Sequence, residues 1–277
     1  MHAEFLLPCL VFQLAWYGLL RTQFPPRSKQ RAWLLTLPVS LLFSVIGAGY
    51  IARFAVALSA ASPLAAVDRM LGAESALDAF AASYMIVFLS LDLLLGQLDY
   101  SEHLQLDTGY IHHAVYLPIY TYMLCNGFTP YLLLGAACEV PTFIMALGTI
   151  FPSLRQDLAF GVSFFFTRIV LFIVLLAVYL HPETNTRVRG CAEGASRAWR
   201  IPLHAASLLT HTSCARPPPP PSWRCAQLSV FLYLPPTSAA LLLHLWWFSK
   251  WLKCGGSKKR AGDPASAPGG AGKERLA

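Results

Sequence analysis

One stretch decides the fold: GYIHHAVYLPIYTYMLC, residues 109–125. It is apolar for most of its length, yet it contains two adjacent histidines, His112 and His113. A polar side chain at membrane depth has no water to bond with and must find partners inside a helix bundle, so such residues mark candidate functional sites. The stretch therefore predicts a buried helix and a site within it.

The whole chain has the composition of an integral membrane protein. Of its 277 residues, 56% are hydrophobic and 13% are charged, and the mean hydropathy is +0.51. Soluble domains carry about 25% charged residues. Apolar runs of membrane-spanning length occupy most of the chain and leave no room for a separate soluble domain. We therefore predict a single all-α membrane domain.

The net charge of +7 comes from 21 Lys and Arg residues against 14 Asp and Glu residues. The basic residues cluster at 21–31, 187–224 and 250–260, beside apolar runs. This placement is typical of membrane orientation and of contact with lipid headgroups. No basic stripe with interleaved aromatic residues is present, so membrane lipids are the expected partners and nucleic acid is not. The oligomeric state does not follow from the sequence.

Seven segments approach the roughly 20 apolar residues that a membrane helix needs. We predict a polytopic transmembrane helical bundle with spans near 4–20, 32–52, 76–97, 108–125, 129–151, 158–180 and 226–252. Lys and Arg are retained in the cytosol, and basic residues follow the first and last spans, which predicts a lumenal N-terminus and a cytosolic C-terminus. Gly47 and Gly49 predict a close helix approach in the second span.

The chain divides into three regions on this reasoning. An N-terminal helix and basic cytosolic loop occupy 1–31, the main membrane domain occupies 32–253, and a basic tail occupies 254–277. Segment 181–225 interrupts the membrane domain with a proline run at 217–221 and no regular periodicity, which predicts a loop insertion. The Gly, Ala, Lys and Pro content of the tail predicts disorder.

Five ionisable residues lie inside four consecutive predicted spans: Asp92, His112, His113, Glu139 and Arg168. A charge at the bilayer centre costs on the order of 3 kcal/mol, so we expect these side chains to converge on one interior site. Tyr116 and Tyr120 share the helical stripes of the histidines. Successive helical residues differ by about 100°, so the two imidazoles cannot both point in the same direction.

Such a set suits acid–base chemistry or acyl transfer. His112 or His113 can act as base or nucleophile, and Asp92 or Glu139 can orient the imidazole. A metal site is less favoured, because adjacent histidines and distant acids do not supply three ligands in suitable geometry, and no cofactor is expected.

Purely structural roles remain open for several polar residues. Arg168 can instead form a structural ion pair with Glu139 or Asp92. By position in the sequence, Asp78 is expected at a helix boundary, Asp99 in a solvated loop and His244 at the membrane interface.

Five motifs appear in order over residues 32–253: SLDL at 90–93, YIHH at 110–113, EVPT at 139–142, FTR at 166–168 and LWWFSK at 245–250. Together they resemble the TLC-domain membrane proteins. That family groups ceramide synthases, translocating-chain-associated proteins and the ceroid-lipofuscinosis cargo receptor. The resemblance implies an endoplasmic-reticulum protein whose six-helix barrel, spans two to seven here, surrounds a lipid-accessible cavity.

The resemblance also implies roles for individual residues. In ceramide synthases the paired histidines serve the transfer of an acyl chain from acyl-CoA to a sphingoid base, and His112 and His113 match that pair. Tyr116, Tyr120 and Arg168 would then line the lipid cavity. The synthases carry a His-Asp motif and further acids on the next helix, whereas this chain has ACEVP at 137–141. That pattern is closer to TLC-domain-containing proteins linked to membrane-lipid composition.

Two functions are therefore expected from the sequence. The first is a role in phospholipid or sphingolipid homeostasis, with the interior polar residues contacting lipid. The alternative is a ceramide-synthase-like N-acyltransferase that uses acyl-CoA as co-substrate.

Overall fold

The computed structural model describes residues 3–60, 74–127, 129–181 and 230–261. This part of the chain is helical and contains no β-strand, which confirms the all-α prediction for it. The α-helices are α1 (Leu6–Leu20), α2 (Lys29–Trp33), α3 (Thr36–Ala60), α4 (Ala76–Asp99), α5 (His112–Asn126), α6 (Thr129–Leu134), α7 (Glu139–Ile150), α8 (Asp157–Phe164), α9 (Leu171–Leu180) and α10 (Val230–Ala261).

Three short segments of 3₁₀-helix or π-helix connect α-helices around the interior. A 3₁₀ turn, Gly135–Cys138, joins α6 to α7, and a π-helical segment, Phe165–Val170, joins α8 to α9. A second π-helical segment, Leu106–Ile111, leads directly into α5. At each connection the chain continues from one helical segment into the next without a break. The backbone geometry changes where interior polar residues lie.

Among the described residues, four helical stretches are long and apolar enough to cross a membrane: Lys29–Ser59, Ala76–Asp99, Leu132–Ile150 and Asp157–Val178. By length and composition they indicate a membrane protein. The predicted count of seven spans stays a prediction. Helix α1, for example, has 15 residues and rises only about 22 Å, whereas the hydrocarbon core is about 30 Å thick.

Two predicted segments fall largely outside the described residues. Of the insertion at 181–225, only His181 is described, and residues 262–277 of the tail are not described. The predicted tail begins at 254, but α10 continues as helix to Ala261. A chain that is already helical satisfies its backbone carbonyls by extending the helix, which accounts for the later helix end.

Helix α3 makes a close backbone contact with the Gly135–Cys138 turn at Gly47. A Cβ atom at this position would overlap the backbone nitrogen of Ala137 and lie 2.6 Å from the carbonyl carbon of Ala136. A Cβ atom at Gly49 would meet nothing within 4 Å. The close approach expected from the two glycines is therefore made by Gly47 alone, because the two residues point to different sides of the helix.

Aspartates at both ends fasten helix α4 to its neighbours. At its start, Asp78 accepts a hydrogen bond from the Tyr50 hydroxyl at 2.5 Å, and it lies at the helix boundary as expected. At its end, Asp99 accepts from the Tyr17 hydroxyl at 2.5 Å and from Arg31 Nη1 at 2.9 Å. The expectation of a solvated Asp99 is wrong, because folding brings α1 and α2 against the end of α4.

Replacing Gly47 with Ala should lower the free energy of unfolding by about 2 kcal/mol, since overpacking against backbone atoms costs 1–3 kcal/mol. Gly49→Ala is the matched control and should be neutral or stabilising by up to about 1 kcal/mol, the gain in helix propensity. Denaturant titration of both purified proteins in detergent measures the difference. Equal stability of the two variants would contradict the assigned contact.

Candidate functional site

His113 and Asp92 face each other between α5 and α4. His113 Nδ1 lies 3.4 Å from Asp92 Oδ2, and both residues are 6% exposed. This contact does not form a hydrogen bond, and Nδ1 has no hydrogen-bond partner in the described part of the chain. The Tyr100 hydroxyl donates to the other oxygen, Asp92 Oδ1, at 2.6 Å. Tyr100 thus holds the carboxylate in the position that an orienting group for His113 needs.

His112 points away from Asp92 and begins a row of aromatic rings along α5. Its ring centroid lies 5.6 Å from that of His113 and 4.5 Å from that of Tyr116. Tyr116 in turn lies 6.5 Å from Tyr120, which packs against Phe43 of α3 at 6.3 Å. The rotation of about 100° between successive residues therefore sends the two imidazoles in different directions, as expected.

Arg168 reaches the same interior from the π-helical segment Phe165–Val170. Its Nε donates to the Cys138 carbonyl oxygen at 2.9 Å, and its Nη2 donates to Thr142 Oγ1 at 2.7 Å. The guanidinium carbon lies 5.2 Å from the centroid of the Phe164 ring. His112 and Tyr116 both interact electrostatically with this guanidinium, which connects it to the α5 row.

The alternative of a structural ion pair at Arg168 is not found within the described ranges. Glu139 interacts with Arg168 and with the Thr142 side chain, but the ion pairs found among the described residues do not include a Glu139–Arg168 pair. Asp92 faces His113 instead. Arg168 therefore directs two of its donors to neutral acceptors.

The π-helical segment at Arg168 presents backbone carbonyls to neighbouring side chains. A π-helical turn shifts its hydrogen bonds from the usual α-helical pattern, and such turns are frequent at functional sites. The Thr167 carbonyl accepts from the Cys138 thiol at 3.1 Å, and the Arg168 carbonyl accepts from His244 Nδ1 at 3.2 Å. A carbonyl oxygen can only accept a hydrogen bond, so Nδ1 is the donor in this contact.

His244 lies in the interior, although its sequence position predicts the membrane interface. It is 8% exposed, and its ring packs edge-on against Phe164 at 5.9 Å and Phe172 at 5.1 Å. It also interacts electrostatically with Arg168 and His112. The prediction fails because one face of α10 packs on α8 and α9, while Trp246 and Lys250 remain exposed on the same helix.

The predicted site residues thus form one continuous interior group. It runs from Asp92 and His113 through His112, Tyr116 and Tyr120 to Glu139 and Arg168. His112, Tyr116 and Glu139 are half-buried, so each keeps part of its accessible surface. Across the described ranges, no three His, Cys, Asp or Glu residues are grouped to hold a metal ion.

Four residues of the group are missed by sequence reasoning: Tyr100, Cys138, Thr142 and His244. Thr142 follows Glu139 by three positions, so helical spacing places it on the same face and is a usable signal. Tyr100 lies eight residues after Asp92, just past the end of α4, and its return to Asp92 depends on the turn that follows. No sequence pattern predicts a π-helical segment, so the side chains that bond its backbone carbonyls cannot be predicted from the sequence.

Comparison with known proteins identifies no relative. No protein-family model matches the sequence, and no curated protein or solved structure matches it at a significant level. The function must therefore be argued from the interior geometry and from the resemblance of the motifs.

Tyr100→Phe should lower the free energy of unfolding by about 1–3 kcal/mol, because it removes a buried hydrogen bond and leaves Asp92 Oδ1 without its donor. Tyr110→Phe removes an equivalent hydroxyl that donates to Gln97 at the surface, and it should change stability by no more than about 0.5 kcal/mol. Thermal and denaturant unfolding in detergent compare the two. A loss at Tyr110 as large as at Tyr100 would contradict the proposed support of Asp92.

Proposed function

We propose that this chain is a multi-pass protein of the endoplasmic-reticulum membrane, of the TLC-domain type, that acts in phospholipid or sphingolipid homeostasis by binding lipid in its interior. The proposal includes seven spans, six of them forming a barrel, with a lumenal N-terminus and a cytosolic C-terminus. Its main support is the continuous polar group that four helices, α4, α5, α7 and α10, and one π-helical segment bring together inside an apolar bundle.

The cost of that polar group favours a functional interpretation. Polar and ionisable side chains at membrane depth are expensive, and those that persist usually mark substrate or ion pathways. Here they include His112, Tyr116 and Glu139, which keep part of their accessible surface. A lipid would match these surroundings, because its headgroup would contact the polar residues and its hydrocarbon chain would contact the apolar side chains.

A second candidate function is N-acyl transfer from acyl-CoA to a sphingoid base, favoured by the arrangement of His113 and Asp92. In that reaction the imidazole accepts the amine proton as the nitrogen attacks the thioester carbonyl. An amide bond forms, the carbon–sulfur bond breaks, and CoA leaves as the thiol. The Asp92 carboxylate, 3.4 Å from Nδ1, would stabilise the imidazolium.

The lipid-homeostasis role is tested by expressing the chain in a eukaryotic host and measuring the lipid profile by mass spectrometry. Wild type should shift the acyl composition of phospholipids or sphingolipids. Tyr116→Trp places a larger ring beside His112, against which Tyr116 packs, and should abolish the shift. Tyr122→Trp makes the same change on the exposed side of α5 and should preserve it. No shift with wild type, or equal shifts with both variants, would count against the proposal.

The acyltransferase alternative is tested on purified protein with labelled acyl-CoA and long-chain amines. An amide product should form with wild type and with His103→Ala, whose imidazole is exposed and bonded to the Arg27 carbonyl. It should fall to background with His113→Ala, which removes the base. Absence of product across a panel of amines would exclude acyl transfer and leave the lipid-binding role in place.

A further inference from the structure

Arg168 is a membrane-depth cation whose described hydrogen bonds reach only neutral groups. Its Nε and Nη2 bond a carbonyl and a hydroxyl, and Nη1 has no hydrogen-bond partner among the residues that the structure describes. Arg168 is half-buried, so the residue keeps part of its accessible surface. The guanidinium remains protonated in proteins, so this charge is permanent.

A permanent charge in such a place calls for an anion. Buried charges are ordinarily paired, because removing an ion from water costs several kcal/mol even after the protein relaxes. Neutral acceptors recover part of that cost but leave the charge itself uncompensated. The planar guanidinium also presents its donors in a fork that matches a carboxylate or a phosphate.

The groups around Arg168 leave the anion position open. Three neighbours, His112, Tyr116 and His244, interact electrostatically with the guanidinium and have side chains that can form hydrogen bonds. The Cys138 thiol and Glu139 also interact with it, and Glu139 contacts the same Thr142 side chain without forming one of the ion pairs found in the described part of the chain. Glu139 therefore lies near the guanidinium without occupying its hydrogen-bonding fork.

We propose that Arg168 binds the anionic group of a lipid, a carboxylate or a phosphate, whose hydrocarbon chain lies in the bundle interior. This inference rests on the proposed lipid-binding function and names the class of lipid. The apolar half of the ligand would meet the aromatic side of the same site, where Phe164 packs beneath the guanidinium. Uncharged lipids of the same chain length lack the group that compensates Arg168 and bind more weakly.

The test measures binding of labelled lipids to the purified full chain in phosphatidylcholine nanodiscs. Oleate and oleyl alcohol form one pair, and lysophosphatidate and monooleoylglycerol form the second, so each pair differs in the anionic group. Wild type should prefer the anionic member of at least one pair by about tenfold, the effect of one charged hydrogen-bonded contact. Preference in the first pair identifies a carboxylate ligand, and preference in the second identifies a phosphate.

Variants assign that preference to Arg168. Arg168→Gln should remove it, and Arg168→Lys should retain part of it, because a lysine keeps the charge but loses the fork. Glu139→Gln should raise the affinity for the anionic lipid, since it removes the nearby acidic group. Arg53→Gln is the matched control, because Arg53 is exposed and stacks on Tyr50, and it should leave the preference unchanged.

The outcomes separate this inference from the function on which it rests. Binding of neither lipid in each pair would overturn both. Equal binding of charged and uncharged lipids by wild type would overturn the anion site and leave lipid binding intact, as would a preference that survives in Arg168→Gln. If Arg168→Gln elutes as aggregate on size exclusion, Arg168→Lys and Glu139→Gln decide the question, because their affinities for anionic lipid should shift in opposite directions. A shift of both affinities in the same direction overturns the anion site.

Discussion

The contact between Gly47 and the backbone of Ala136 and Ala137 determines where the interior residues lie. It leaves no space for a side chain, so α3 approaches the Gly135–Cys138 turn as closely as backbone atoms permit. The turn ends at Cys138, whose carbonyl binds Arg168, and Glu139 follows it as the first residue of α7. A single small residue on α3 therefore sets the position of the anchors for the guanidinium.

The interior group combines two different solutions to the cost of buried polarity. Asp92 has local partners, because Tyr100 donates to one oxygen and His113 approaches the other. Arg168 has hydrogen bonds but no described carboxylate at ion-pair distance. The Asp92 end of the group is suited to holding the His113 imidazole in place. The Arg168 end is suited to binding a negative charge carried by a ligand. A purely structural network would not need this difference between its two ends. The difference therefore supports the proposed lipid site.

The sequence largely predicts the membrane character of the chain and the residues that form its interior group. Composition and hydrophobic runs predict an all-α membrane chain because lipid requires every backbone polar group to be satisfied within helices. The same cost predicts that Asp92, His113 and Arg168 turn inward. Spacing along one helix also predicts that His112 and His113 diverge. The number of spans, by contrast, depends on a length threshold that the 15-residue helix α1 does not meet.

The sequence by itself determined which residues must avoid lipid, because polarity and helical period are local properties. Only the tertiary structure decided their partners. Arg168 bonds Cys138 and Thr142 rather than an acid, and His244 lies inside rather than at the membrane surface. The physical reason is that partner choice depends on the approach of helices distant in sequence and on the widened turn at Phe165–Val170, and neither leaves a periodic signal in the chain.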